Sequence, residues 1–211
     1  MNFSSVIKKL FILADKLIIM NYKRAAGILI FTGAVQFIIG MNVAEFLYPG
    51  YSVSNNFISD LGATCRGSTC TVNQPSATIF NLSVSLLGLF ILIGSYFLWR
   101  EFQSPVVPIL FALTGIGAIG VGMFPETSGM IHEFVSLIAF LFGGLSAISS
   151  IKIAKAPISY FSVLMGITSL IALVLFAFEI YLGFGPGGME RMIAYPMLLW
   201  AAGFGGYLMS S

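Results

Sequence analysis

Residues 106–124 read VVPILFALTGIGAIGVGMF, nineteen consecutive positions without a charge. At about 1.5 Å per residue, a helix of that length reaches across a hydrocarbon core about 30 Å thick. A barrel strand would alternate apolar and polar residues over about ten positions. This run is apolar on every face, so it reads as a spanning helix whose backbone groups satisfy one another inside the bilayer. Pro105 and Pro108 suit the first turn of such a helix, where a missing N–H is tolerated. Gly115, Gly117, Gly120 and Gly122 offer a surface on which a second helix can pack closely.

Outward from this stretch the pattern repeats. Apolar runs of spanning length occupy residues 24–47, 76–98, 131–151, 157–183 and 189–209, giving six with the first. Most connections are five to seven residues long and force antiparallel neighbours, while one loop, 48–75, is longer. The reading is an all-α integral membrane protein, a six-transmembrane-helix up-and-down bundle formed by residues 23–211, with Pro196 expected to kink the last helix. Composition agrees: 58% of the 211 residues are hydrophobic and only 9% charged, against about 25% charged in a soluble domain. Ten basic residues balanced by eight acidic ones form no basic stripe, so nucleic-acid binding is excluded.

Charge gives the orientation. Lys8, Lys9, Lys16, Lys23, Arg24, Arg100, Lys152 and Lys155 fall on one side of the bundle, eight of the ten basic residues. By the positive-inside rule that side is cytoplasmic, so both termini lie inside and loop 48–75 outside, in the plasma (cytoplasmic) membrane. Residues 1–22 hold an apolar stretch cut by Asp15 and Lys16, without a cleavage pattern. They read as an interfacial amphipathic helix, with Val6, Leu10, Phe11, Leu13, Leu17 and Ile18 on one face and the lysines toward headgroups.

Cys65 and Cys70 are the only cysteines, both in the outer loop, where an oxidising compartment permits a disulfide staple. Two thiols make a poor zinc site and a single histidine excludes multi-histidine metal centres, so neither a metal nor another cofactor is expected. The acidic residues concentrate at the same outer end: Glu45, Asp60, Glu126, Glu133, Glu179 and Glu190, joined by His132, Arg66 and Arg191. Ionisable groups near a bilayer are costly and usually face a cavity or each other, which makes this mouth the expected site.

Three stretches contribute. They are Asn55 to Asp60, Met123 to Glu126 with the following His132, and the glycine-rich Gly185 to Arg191. Asn55, Asn56 and Ser59 offer hydrogen bonds, Arg191 a guanidinium suited to phosphate, and Glu126 and Glu190 can orient these groups. His132 and Asp60 can act as acid and base if the protein is an enzyme, with Ser136 or Ser59 as the hydroxyl; Ser136 lies one helical turn from His132. Glu45 and Glu179 are the residues a proton- or ion-coupled transporter would use.

Three of these motifs carry a resemblance: Ser-Asn-Asn-Phe-Ile-Ser-Asp-Leu-Gly at 54–62, Gly-Met-Phe-Pro-Glu at 122–126, and Gly-Gly-Met-Glu-Arg-Met at 187–192 ahead of Tyr195-Pro196. Over roughly residues 22–209 the chain resembles the prokaryotic domain-of-unknown-function family 998, six-span membrane proteins without an established activity. More distantly it is similar to the eukaryotic six-span group of damage-regulated autophagy modulators and a GPI-lipid remodelling factor. The matching positions are Ile58, Ser59, Asp60, Gly62 and His132, with Leu61 in place of a threonine. That similarity implies a lipid-related role at the non-cytoplasmic face. The leading expectation is a protein whose partners are membrane lipids and whose outer mouth binds a polar headgroup. The alternatives are an intramembrane lipid hydrolase or transferase, a small transporter, and a non-enzymatic scaffold.

Overall fold

The structure is a computed structural model that describes residues 21–210; the interfacial helix expected over residues 1–22 lies outside the described residues but for its last two positions. Among the described residues, six helices are long and apolar enough to cross a membrane. They are α1 (Tyr22–Leu47), α2 (Ser76–Glu101), α3 (Val106–Met123), α4 (Met130–Ser149), α5 (Ile158–Ala177) and α6 (Gly185–Ser210). A 3-10 turn, Ser150–Lys152, extends α4.

Each helix packs on its neighbour in the chain and α1 closes on α6, while α4 meets α6 only sparsely and α5 fills the space between them. The outer faces carry large apolar side chains such as Ile39, Leu82, Ile109, Phe134, Leu164 and Leu199, all exposed, as lipid-facing surfaces require. Inside, small residues set the helix spacing. A Cβ on Gly88 of α2 would stand 2.5 Å from the Gly115 carbonyl of α3, and one on Gly115 2.7 Å from the Gly88 carbonyl. The two backbones touch there because neither residue has a side chain.

One end of the bundle gathers Tyr22, Arg100, Lys155 and Tyr207. Arg100 Nη2 donates to the Tyr22 hydroxyl at 3.4 Å and the Lys155 N–H to the Tyr207 hydroxyl at 3.1 Å. The opposite end carries the long loop, which is not a free tether. It holds a 3-10 turn (Ser59–Leu61) and an antiparallel hairpin, β1 (Thr64–Arg66) with β2 (Thr69–Thr71), in which Cys65 lies opposite Cys70 and is joined to it by a disulfide.

Helix α5 is shorter than the apolar run that signals it. The run continues to residue 183, but α5 ends at Ala177, and Glu179 (φ 58°) and Leu182 (φ 50°) adopt left-handed backbone in the turn to α6. Hydropathy registers Phe178, Ile180, Tyr181 and Leu182 as membrane-spanning, although reversing the chain toward Gly185 requires leaving the helix. Glu179 is therefore exposed in a turn rather than one turn down a helix.

Candidate functional site

At the loop-bearing end the three polar stretches meet, and Arg191 is the hub. Its side chain is buried near the start of α6: Nη1 donates to the carbonyls of Val53 (3.1 Å), Asn56 (3.3 Å) and Gly187 (3.1 Å), while Nε has no partner among the described residues. Nη2 donates to the Tyr51 hydroxyl at 2.7 Å and pairs with Glu45 at the end of α1. Burial lifts the Tyr51 phenol well above its usual range, and Arg191 offsets only part of that. Tyr51 thus stays protonated and donates in turn to the Phe57 carbonyl at 2.7 Å. One guanidinium ties α1, α6 and the loop together.

Two further contacts lock the loop onto α6. Gly187 N–H donates to the Ser54 carbonyl at 2.9 Å, and a Cβ at Gly187 would collide with the Asn56 carbonyl, so only glycine lets the two backbones approach this closely. Glu190, buried one turn later, accepts from the Ile58 N–H. The glycine-rich stretch spends its amide on the loop rather than presenting it to solvent.

Asp60 is 1% exposed. Its Oδ2 accepts from Asn56 Nδ2 (2.9 Å), the Phe57 N–H (2.9 Å) and Arg66 Nη2 (2.6 Å), while Oδ1 has no partner among the described residues. Glu126 joins the loop to the α3–α4 turn: Oε1 accepts from Ser59 Oγ at 2.8 Å and Oε2 from the Cys65 N–H at 2.9 Å. Burial raises the Glu126 carboxyl above its ordinary 4.5, with those two donors and Arg66, 3.8 Å away, pulling it back. Asp60 and Glu126 also hold the Arg66 guanidinium charged, outweighing its partial burial.

His132, buried in the first turn of α4, makes two contacts. Nδ1 lies 2.7 Å from the Phe124 carbonyl oxygen and Nε2 lies 3.3 Å from Ser136 Oγ. No hydrogen bond or ion pair joins His132 to Asp60; each has its own partners, so an acid and base pair drawn from those two residues has no direct contact.

Two cavities open on this network. A vestibule of about 630 Å³ is walled by the loop, α4, α5 and α6, with Arg66, Glu126, His132 and Glu133 toward the end of the bundle and Leu137, Phe140, Leu173 and Phe176 deeper. A second cavity of about 110 Å³ runs inside the ring between α1, α2, α3, α4 and α6, with an almost wholly apolar lining. Ser59, Ser136, Phe140 and Glu190 border both. Of the residues singled out in the sequence, Ser59, Cys65, Arg66, Glu126, His132, Glu133, Ser136 and Glu190 line one or both of these cavities; Asn55, Asn56, Asp60 and Arg191 do not. Glu45 is committed to Arg191. Among the described residues no group of three or more His, Cys, Asp or Glu side chains is placed to hold a metal ion.

Sequence reasoning missed the vestibule's apolar wall, because Leu137, Leu173 and Phe176 look like any lipid-facing residues until the gap between α4 and α5 is seen. It also missed Phe124, whose contribution is a backbone carbonyl. Neither the curated proteins nor the solved structures compared with this chain gave a match. Residues 31–206, more than four fifths of the chain, match the model of the family described as Protein of unknown function (DUF998). This membrane protein therefore belongs to that family.

Proposed function

We propose that the protein binds a membrane lipid, with the polar headgroup in the vestibule and a hydrocarbon chain against α4 and α5. One observation carries this reading: the vestibule lining grades from charged to apolar along the helix axes. His132 and Glu133 lie in the first turn of α4, Leu137 and Phe140 one and two turns further down, and Leu173 and Phe176 face them from α5. A lipid presents the same gradient along the membrane normal, and apolar walls with a few placed polar groups are what small-molecule sites require. Arg66, with half its side chain exposed, is suited to an anionic group, and the exposed Glu133 to a cationic or hydroxyl-bearing one. The residues that fix the loop, Arg191, Asp60 and Asn56, shape this site without facing its occupant. The basic bundle end faces the cytoplasm and the vestibule the outer surface of the plasma membrane.

The test is native mass spectrometry with lipidomics on protein purified in mild detergent, comparing wild type with Leu173→Trp, which fills the apolar wall, and Leu164→Trp, on the exposed face of the same helix. A selectively retained lipid, lost in Leu173→Trp and kept in Leu164→Trp, is the expected result. No selective lipid in the wild type, or equal retention in all three, contradicts the reading.

A further inference from the structure

We propose that Ser136 and His132 form a nucleophile and base pair for acyl transfer, acting on fatty-acyl esters of membrane lipids. The proposal rests on the lipid reading above and adds a reaction to it.

The geometry of the imidazole leads to it. The Phe124 oxygen 2.7 Å from Nδ1 is a carbonyl and can only accept, so Nδ1 carries the proton; this tautomer is assigned from its partner. In the neutral ring Nε2 is then an acceptor, and its neighbour at 3.3 Å is the Ser136 hydroxyl. A base whose far nitrogen is fixed by a third group, with a hydroxyl within reach of its near one, is the arrangement that activates a serine. The carbonyl does here what a carboxylate does in a Ser-His-Asp triad: it holds the ring in the right tautomer. Other hydroxyls in these helices behave differently. Thr114, Ser162 and Thr168 donate to carbonyls four residues back, whereas Ser136 meets the imidazole.

Location is the second, independent observation. Ser136 stands where the polar vestibule and the inner apolar cavity meet. Below it, that cavity follows α4 past Ala139, Phe140 and Gly143 to Ser146, ten residues or about 15 Å of helix. An apolar cavity stays dry, and a hydrocarbon chain is the ligand that gains from filling it. A diacyl lipid with one acyl chain in this slot, its alcohol portion in the vestibule and its second chain against α4 and α5 places the ester carbonyl of the first chain beside Ser136.

The step balances without another cofactor. His132 Nε2 takes the Ser136 proton as Oγ bonds to the ester carbonyl carbon. The adduct collapses by breaking the carbon–oxygen bond to the lipid alcohol, which leaves with that proton, and Ser136 is acylated. Water, entering through the vestibule, then attacks the acyl carbon with His132 again as base, releasing the fatty acid and restoring the serine.

The experiment treats the purified full chain in detergent with a long-chain alkyl fluorophosphonate, which reacts with activated serines, and locates the adduct by peptide mass spectrometry. The expected result is one adduct on Ser136, absent in Ser136→Ala and formed at least tenfold more slowly in His132→Asn, with a short-chain probe reacting at least tenfold more slowly than the long one. No adduct in the wild type, or equal rates in wild type and His132→Asn, overturns the pair; equal rates for the two probes overturn the assignment of the inner cavity to the acyl chain. Lipid retention by native mass spectrometry is measured on the same samples. Ser136→Ala that keeps its lipid is folded, so retention without any wild-type labelling removes the chemistry alone, and absent retention removes the binding reading.

Discussion

Arg191 shows how one residue organises the loop-bearing end. Its five contacts reach a helix end, the loop backbone and a tyrosine, all from a buried position. Removing one member of a buried ion pair leaves the other without compensation, and such losses cost about 3–5 kcal/mol. Arg191→Met is expected to destabilise by about that much, read as a lowered Tm in detergent, and adding Glu45→Gln should recover part of it. Glu126 is a pH probe for the same docking. Its carboxyl is raised above 4.5 by burial, so between the ordinary and raised values the folded protein binds more protons than the unfolded chain. Its contribution is then complete below about pH 4.5 and is lost as pH rises through the raised value. Glu126→Gln should remove that component, so the Tm difference between variant and wild type should shift in the variant's favour as pH rises from 4.5 to 8; a constant difference contradicts the assignment.

Helices and loop interlock through backbone contact, and the elements respond to added volume. Gly115→Leu is expected to wedge α3 from α2 at the Gly88 carbonyl and cost about 1–3 kcal/mol, as overpacking does. Gly187→Ala should act locally: its methyl group meets the Asn56 carbonyl, so residues 48–75 become more sensitive to protease while the bundle melts nearly as before. The Cys65–Cys70 ring is small, and breaking it with Cys65→Ser and Cys70→Ser should cost about 2 kcal/mol by the loop-entropy estimate. The spans are legible because hydropathy is a local property: the apolar runs 76–98 and 106–124 begin where α2 and α3 begin. The end of α5 was not, since apolar turn residues and apolar helix residues have the same hydropathy. The docking was legible only as a gathering of charge, because Arg191 meets Val53 and Glu45 across 138 and 146 residues of sequence.

For the whole molecule, a ring of six helices with lipid-facing outer surfaces holds a polar cap at one end and a cluster of basic residues at the other. The sequence showed that Ser59, Glu126, His132 and Glu190 belong to one end, but the split between residues that build the cap and residues that line its cavities depends on side-chain partners that no spacing rule supplies. Asp60 and Arg191 have the chemistry of ligand-binding groups and are spent on the loop, whereas Leu173 and Phe176, unremarkable in sequence, wall the vestibule. The most direct measurement is photocrosslinking in native membranes with lipids bearing a photoactivatable group midway along the acyl chain, followed by peptide mapping. The lipid-binding account predicts adducts concentrated on the facing segments 136–143 and 173–177, competed away by unlabelled lipid extract. Adducts spread evenly over the exposed faces of α1, α3 and α5, and insensitive to competitor, would contradict it.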